Sequence, residues 1–82
     1  MAVELRLTRR FQRSFGKLDR TVRQRVQERV GELGDNPHLG KPLRGNLEGE
    51  WSLRVGEYRV LYTIEGSIVW VETVRHRRDA YR

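Results

Sequence analysis

Residues 51–64 read WSLRVGEYRVLYTI, and the pair Gly56-Glu57 at their centre decides the fold. Two residues between two β-rich runs make the tightest antiparallel connection, a two-residue hairpin. Such a turn sets Val55 opposite Tyr58, Arg54 opposite Arg59, Leu53 opposite Val60 and Trp51 opposite Tyr62. Alternation then gives Trp51, Leu53, Val55, Tyr58, Val60 and Tyr62 one face, and Ser52, Arg54, Arg59, Leu61 and Thr63 the other. The first set is too apolar to stay in water, so another layer must cover it.

Working outward, Glu65-Gly66-Ser67 separates this hairpin from a further β-rich run, Ile68–Val74. Its alternating residues Ile68, Trp70, Glu72 and Val74, with His76 in step beyond them, are expected on the face of Arg59. Upstream, residues 38–49 are a loop punctuated by Gly and Pro. Before it lie the covering elements. Thr8 can cap a helix in which Phe11, Phe15 and Leu18 recur at helical spacing. Asp19 can cap a second helix whose stripe is Val22, Val26, Val30 and Leu33, ending near Gly34 ahead of Asp35-Asn36-Pro37. Val3, Leu5 and Leu7 alternate with Glu4 and Arg6 as a half-buried strand does. The expected fold is α+β: an N-terminal strand, then a two-helix hairpin packed on one face of a four-stranded sheet, with an antiparallel C-terminal meander. Residues 1–82 form one domain.

Composition narrows the function. The chain has 82 residues, 37% hydrophobic and 34% charged, and no cysteine, which excludes disulfides, thiolate zinc sites and cysteine nucleophiles. No apolar run reaches the ~18 residues that span a bilayer. The opening MAVELRLTRRF has no apolar core of the kind a leader carries. A cytoplasmic protein with no membrane partner is expected.

Seventeen Lys and Arg against eleven Asp and Glu give a net charge of +6. Residues 1–30 carry nine basic and three acidic groups, residues 31–73 four and seven, and residues 74–82 four and one. Only Lys17 and Lys41 are lysines. Guanidinium forks bind phosphate bidentately, so the excess favours a phosphate-bearing partner over plain solubility. Arg9, Arg13 and Lys17 stand four apart as a basic ridge on the first helix. Repulsion at that spacing costs a few tenths of a kcal/mol, which either a polyanion or simple solvation accommodates.

Arg54 facing Arg59 is unfavourable by itself and makes sense around an anion. The alternatives are that the two fan into solvent or pair with Glu72. With His76, Arg77 and Tyr81 nearby, the open sheet face collects cations, one imidazole and one phenol. Two histidines without a carboxylate cluster make a poor zinc site, and no metal or cofactor is expected. These are instead the parts of metal-free RNA cleavage. A base takes the 2′-hydroxyl proton, the 2′-oxygen attacks phosphorus, an acid protonates the leaving 5′-oxygen, and cations hold the transition state.

The stretch KPLRGNLEGEWSLRVGEYRVLYTI, residues 41–64, followed by VETVRHRRDAYR, residues 71–82, resembles the RelE/ParE superfamily of type II toxin–antitoxin toxins. The order of elements and the chain length resemble it too. In that superfamily the RelE-like branch cuts mRNA in the ribosomal A site, and the ParE-like branch poisons DNA gyrase. The resemblance implies that Arg59 contacts the scissile phosphate, Arg77 stabilises the transition state and Tyr81 stacks on or activates the nucleotide. It places His76 where relatives carry a lysine or histidine near the reaction. Arg54, Lys41 and Arg44 would add supporting charge, and the ridge of Arg9, Arg13 and Lys17 would hold ribosomal RNA.

The sequence also departs from the pattern. Glu50 and Ser52 stand where some relatives have two lysines, and Lys41 where others have a glutamate. His76 is therefore the expected acid/base group, with Tyr81 and Glu50 behind it. The resemblance further implies a cognate antitoxin, whose acidic, amphipathic segment would cover Leu61 and Trp70. The implied activity is ribosome-dependent mRNA cleavage that inhibits translation. Gyrase inhibition, or RNA and ribosome binding without catalysis, is the alternative.

Overall fold

The computed structural model describes residues 3–78. Strand β1 (Glu4–Leu7) leads into helix α1 (Arg9–Gly16) and helix α2 (Arg20–Leu33). A loop follows, holding the two-residue strand β2 (Lys41–Pro42) and a single 3₁₀ turn, Gly45–Leu47. Strands β3 (Glu50–Val55), β4 (Tyr58–Glu65) and β5 (Ile68–His76) form the meander. One mixed sheet results, in the order β1-β5-β4-β3-β2, with β1 parallel to β5 and the other pairs antiparallel. The fold is α+β as expected. The sheet has five strands rather than four because Lys41 and Pro42 pair with Ser52 and Trp51 inside the segment read as loop.

Both helices start where the sequence places their caps. The Thr8 hydroxyl accepts from Phe11 N–H at 3.0 Å, and the Asp19 carboxylate accepts from Val22 N–H at 3.0 Å. Each such cap is worth ~1 kcal/mol. Phe11, Val26, Val30 and Leu33 are buried against Leu53, Val55, Val60, Tyr62, Val69, Val71 and Val74. Helix α1 also seals an edge. Where β1 stops, Thr8 N–H donates to Val71 O and the Thr8 hydroxyl to Glu72 O, while Ser14 Oγ accepts from Val74 N–H. The outer side of β5 is thus satisfied beyond its partner strand.

The β3–β4 register is the expected one at every position. Gly56, at φ +60°, makes the turn that a side chain would strain. The alternation along β5 differs from expectation. From Glu65↔Ile68 to Tyr62↔Val71 the pairing runs without a break, but Leu61 then faces Thr73, because β5 carries one extra residue there. This bulge reverses the alternation beyond it. Arg75, not Val74, faces Arg59, and His76 faces Tyr58 on the helix-covered side.

Tyr62 anchors the loop to the sheet. It has no exposed surface, and its hydroxyl donates to Pro37 O at 2.8 Å and accepts from Gly40 N–H at 3.0 Å. A Cβ on Gly40 would stand 2.5 Å from Ser52 O, so only glycine lets the loop close here. Burial raises the Tyr62 pKa, partly opposed by the bond from Gly40. A raised value means that the unfolded chain ionises first as pH rises. The stability Tyr62 contributes is therefore complete below pH ~10, the ordinary tyrosine value, and is lost above it as pH climbs through the folded-state value. Tyr62→Phe should lower unfolding free energy by ~1–3 kcal/mol at neutral pH, through the unpaired Gly40 N–H and Pro37 O. It should also flatten the alkaline decline, and urea denaturation at pH 7 and pH 10.5 measures both effects.

Candidate phosphate-binding site

Strand alternation lines up one basic row across the end of the sheet: Arg54 on β3, Arg59 on β4 and Arg75 on β5. Arg75 was missed in the sequence because the bulge that turns it outward has no glycine or proline to mark it. Next to this row, a cleft of about 380 Å³ is lined by Arg29, Lys41, Arg54 and Arg59, with Leu39, Gly40, Pro42, Leu43, Ser52 and Leu53. Its lining is basic because β2 begins only at Lys41, opposite Ser52, and leaves Leu53–Val55 without a strand partner on that edge. Arg29 reaches it from α2 while paired with Glu32 at 3.1 Å. Arg44, the N-cap of the 3₁₀ turn, is exposed and does not line this cleft.

The Arg59 Nε–H is buried and has no hydrogen-bond partner among the described residues. An unpaired donor of this kind costs ~1–3 kcal/mol, more when charged. No ion pair involves Arg54, Arg59 or Arg75 among the described residues, so the pairing with Glu72 offered by the sequence is absent. The row holds strong donors without acceptors. That is the electrostatics of an anion site, and guanidinium geometry suits phosphate.

Arg77 lies one residue past β5. Its N–H donates to Glu57 O at 2.7 Å, and its Nη1 stands 3.8 Å from Glu57 Oε2, a loose pair between exposed side chains. Arg77 is thereby fastened to the Gly56-Glu57 turn, at the same end of the sheet as Arg54 and Arg59. Tyr81 lies outside the described residues.

His76 is not on this face. Its ring meets Tyr58 edge-on at 5.3 Å, and its Nδ1 accepts from Arg78 N–H at 3.3 Å. It opens instead into a groove of about 580 Å³ between α1 and β5, lined also by Arg10, Arg13, Lys17 and Arg75. Arg13 and Lys17 of the expected ridge line this groove; Arg9 does not, and Arg10 takes its place. Glu50 begins β3 opposite Thr63, four residues before Arg54, which is ~13 Å of strand. Leu61, expected to be exposed, is 7% exposed, whereas Trp70 is half-buried with the Arg6 guanidinium 5.6 Å from its ring centre. Among the described residues no three His, Asp or Glu side chains converge as metal ligands. Among the described residues no helix is long and apolar enough to cross a membrane.

The chain as a whole is similar to known toxins. Residues 5–81 match the family model described as ParE toxin of type II toxin-antitoxin system, parDE. Toxin RelG of Mycobacterium tuberculosis is 40% identical over 86 residues, covering 100% of this chain and 99% of that protein. The toxin–antitoxin complex RelBE2 of the same organism contains a chain that superposes with a TM-score of 0.87 at 36% identity, covering 94% of this chain and 100% of that one. A free-state mutant of E. coli toxin RelE superposes at 0.80 with 26% identity, covering 98% of this chain and 88% of that one.

The unpaired donor leads to a stability test. In phosphate-free buffer Arg59→Met should melt no lower than wild type, since it removes a buried donor that lacks a partner. Added phosphate should raise the wild-type melting temperature and raise that of the variant much less. Calorimetry with and without phosphate checks both.

Proposed function

This chain belongs to the ParE toxin family of type II toxin–antitoxin systems, and from its likeness to RelE toxins within that family we propose that it is a ribosome-dependent messenger-RNA endonuclease that inhibits translation. The observation that carries the reading is the buried, unpartnered Arg59 Nε–H within the row of Arg54, Arg59 and Arg75. Arg59 holds the scissile phosphate there, and Arg77, at the sheet end, takes the charge that grows on its oxygens. The 2′-oxygen forms a bond to phosphorus as the bond to the 5′-oxygen breaks, leaving a 2′,3′-cyclic phosphate and a 5′-hydroxyl. Arg54 and Lys41 strengthen the field at the cleft, and Arg44 adds to it from the surface. Tyr81 positions the nucleotide. His76 opens to the other side of the sheet, so the role of proton acceptor given to it by sequence loses its geometric support.

The helix ridge serves a different contact. Arg13 and Lys17, with Arg10 and Arg9, hold ribosomal RNA through phosphates, a contact that weakens with salt. A cognate antitoxin restrains the protein, as the toxin–antitoxin complex among its relatives suggests. Its acidic, amphipathic segment neutralises the arginines and covers exposed apolar surface such as Leu7, which is 46% exposed. The site of action is the cytoplasm.

The family description also names ParE, and gyrase inhibition is the second reading. One assay separates them. Purified protein is incubated with ribosomes carrying a defined mRNA, and new 5′ ends are mapped. Cleavage in the A-site codon should require the ribosome and fall ~10²–10³-fold in Arg59→Ala or Arg77→Ala. Loss of supercoiling activity in a gyrase assay, with the mRNA intact, would overturn the nuclease reading.

A further inference from the structure

Cleavage by 2′-oxygen attack needs a proton acceptor beside the phosphate, and the arginine row cannot supply one, since a guanidinium has no acceptor. His76 is across the sheet and Glu50 is at the far end. Among the described residues, one carboxylate remains at the right end. Glu57 occupies the second position of the turn between β3 and β4, two residues from Arg59, and its Oε2 points at Arg77 Nη1 from 3.8 Å. That separation exceeds hydrogen-bonding distance, so the pair is held by charge alone and a better acceptor on Arg77 can replace it. Its backbone is fixed independently, through Glu57 O to Arg77 N–H at 2.7 Å. A phosphate seated on Arg77 would therefore leave the carboxylate released and within a side chain's length of the sugar.

We propose that Glu57 is the proton acceptor of the reaction. This rests on the nuclease reading above. The 2′-hydroxyl proton passes to Glu57, the 2′-oxygen bonds to phosphorus as the bond to the 5′-oxygen breaks, the departing 5′-oxygen takes a proton from solvent water, and Glu57 returns its proton to the hydroxide that this leaves. Glu72, the other carboxylate that the alternation of β5 sends toward this face, sits at the bulge three residues before Arg75. It forms no ion pair among the described residues. Its position separates it from the row by ~10 Å of strand.

The test compares Glu57→Gln, Glu57→Asp and Glu72→Gln with wild type in the programmed-ribosome assay, measuring kcat, KM and the pH profile of kcat/KM. Among the described residues, the charged and titratable groups at this end of the sheet are Arg77 and Arg78 beyond β5, Arg54, Arg59 and Arg75 in the row, Tyr58 and His76 on the helix side, and Arg25 of α2. The Arg25 Nη1 comes within 4.0 Å of where a Gly56 side chain would begin. Arginine charge is constant over the range studied, and His76→Gln controls for the imidazole. Glu57→Gln should cut ~10²–10⁴-fold more slowly at unchanged KM, and its profile should lose the acidic limb. Glu57→Asp should recover part of the rate, and Glu72→Gln should stay within about threefold of wild type. Two results would overturn the proposal: Glu57→Gln within twofold of wild type, or a slower variant with the acidic limb intact, which marks a residue that only positions Arg77. A wild type that does not cut sinks the nuclease reading and this one together; a wild type that cuts confines any failure to Glu57.

Discussion

A two-residue turn forces one arginine against another, and the organisation of the site depends on that constraint. Gly56 and Glu57 leave no slack between β3 and β4, so Arg54 and Arg59 must share a rung. A longer loop would let the register slide and separate them, but sliding by one residue would also turn Leu53, Val60 and Tyr62 out of the core. The apolar face therefore enforces a polar juxtaposition that is unfavourable by itself. Burial of Tyr62, Leu53 and Val60 holds the arginines together, and their mutual repulsion is retained as a standing attraction for anions.

The two faces of the sheet divide the work. One carries the core and both helices, and the other carries the arginine row. Outside the row, the open face is partly closed: Ser52, Leu61 and Thr73 are nearly buried. Exposed charge is thus concentrated toward the end of the sheet where the Gly56-Glu57 turn and Arg77 meet. The groove beside α1 gathers a second set of cations on the opposite side, with the end of β5 as their common boundary.

Much of this was legible in the sequence. The hairpin register followed from the length of one turn, and both helix starts from Thr8 and Asp19, since caps and two-residue turns are local chemistry. The outward face of β5 was not legible. A single bulged residue near Glu72 exchanges the places of Arg75 and His76, and alternation read without it put the imidazole beside the arginine row. Nothing local announces that bulge; it lies where β1 ends and Thr8 and Ser14 take over the edge of β5. Strand β2 was missed for a related reason. Two residues are too few for a periodic pattern, and their pairing is fixed from a distance by Tyr62 gripping Pro37 and Gly40.

The parallel pairing of β1 with β5 has a consequence for the order of assembly. Glu4 meets Ile68 and Leu7 meets Val71, partners separated by 64 residues of chain. Contacts of such long range form late, because the loop they close is costly to order. During synthesis β1 must wait for β5, the strand that also brings Arg75 and leads to Arg77. The arginine row therefore stays incomplete on a nascent chain until β5 has left the exit tunnel. A protein of this architecture completes its basic row only once β5 has been made and docked.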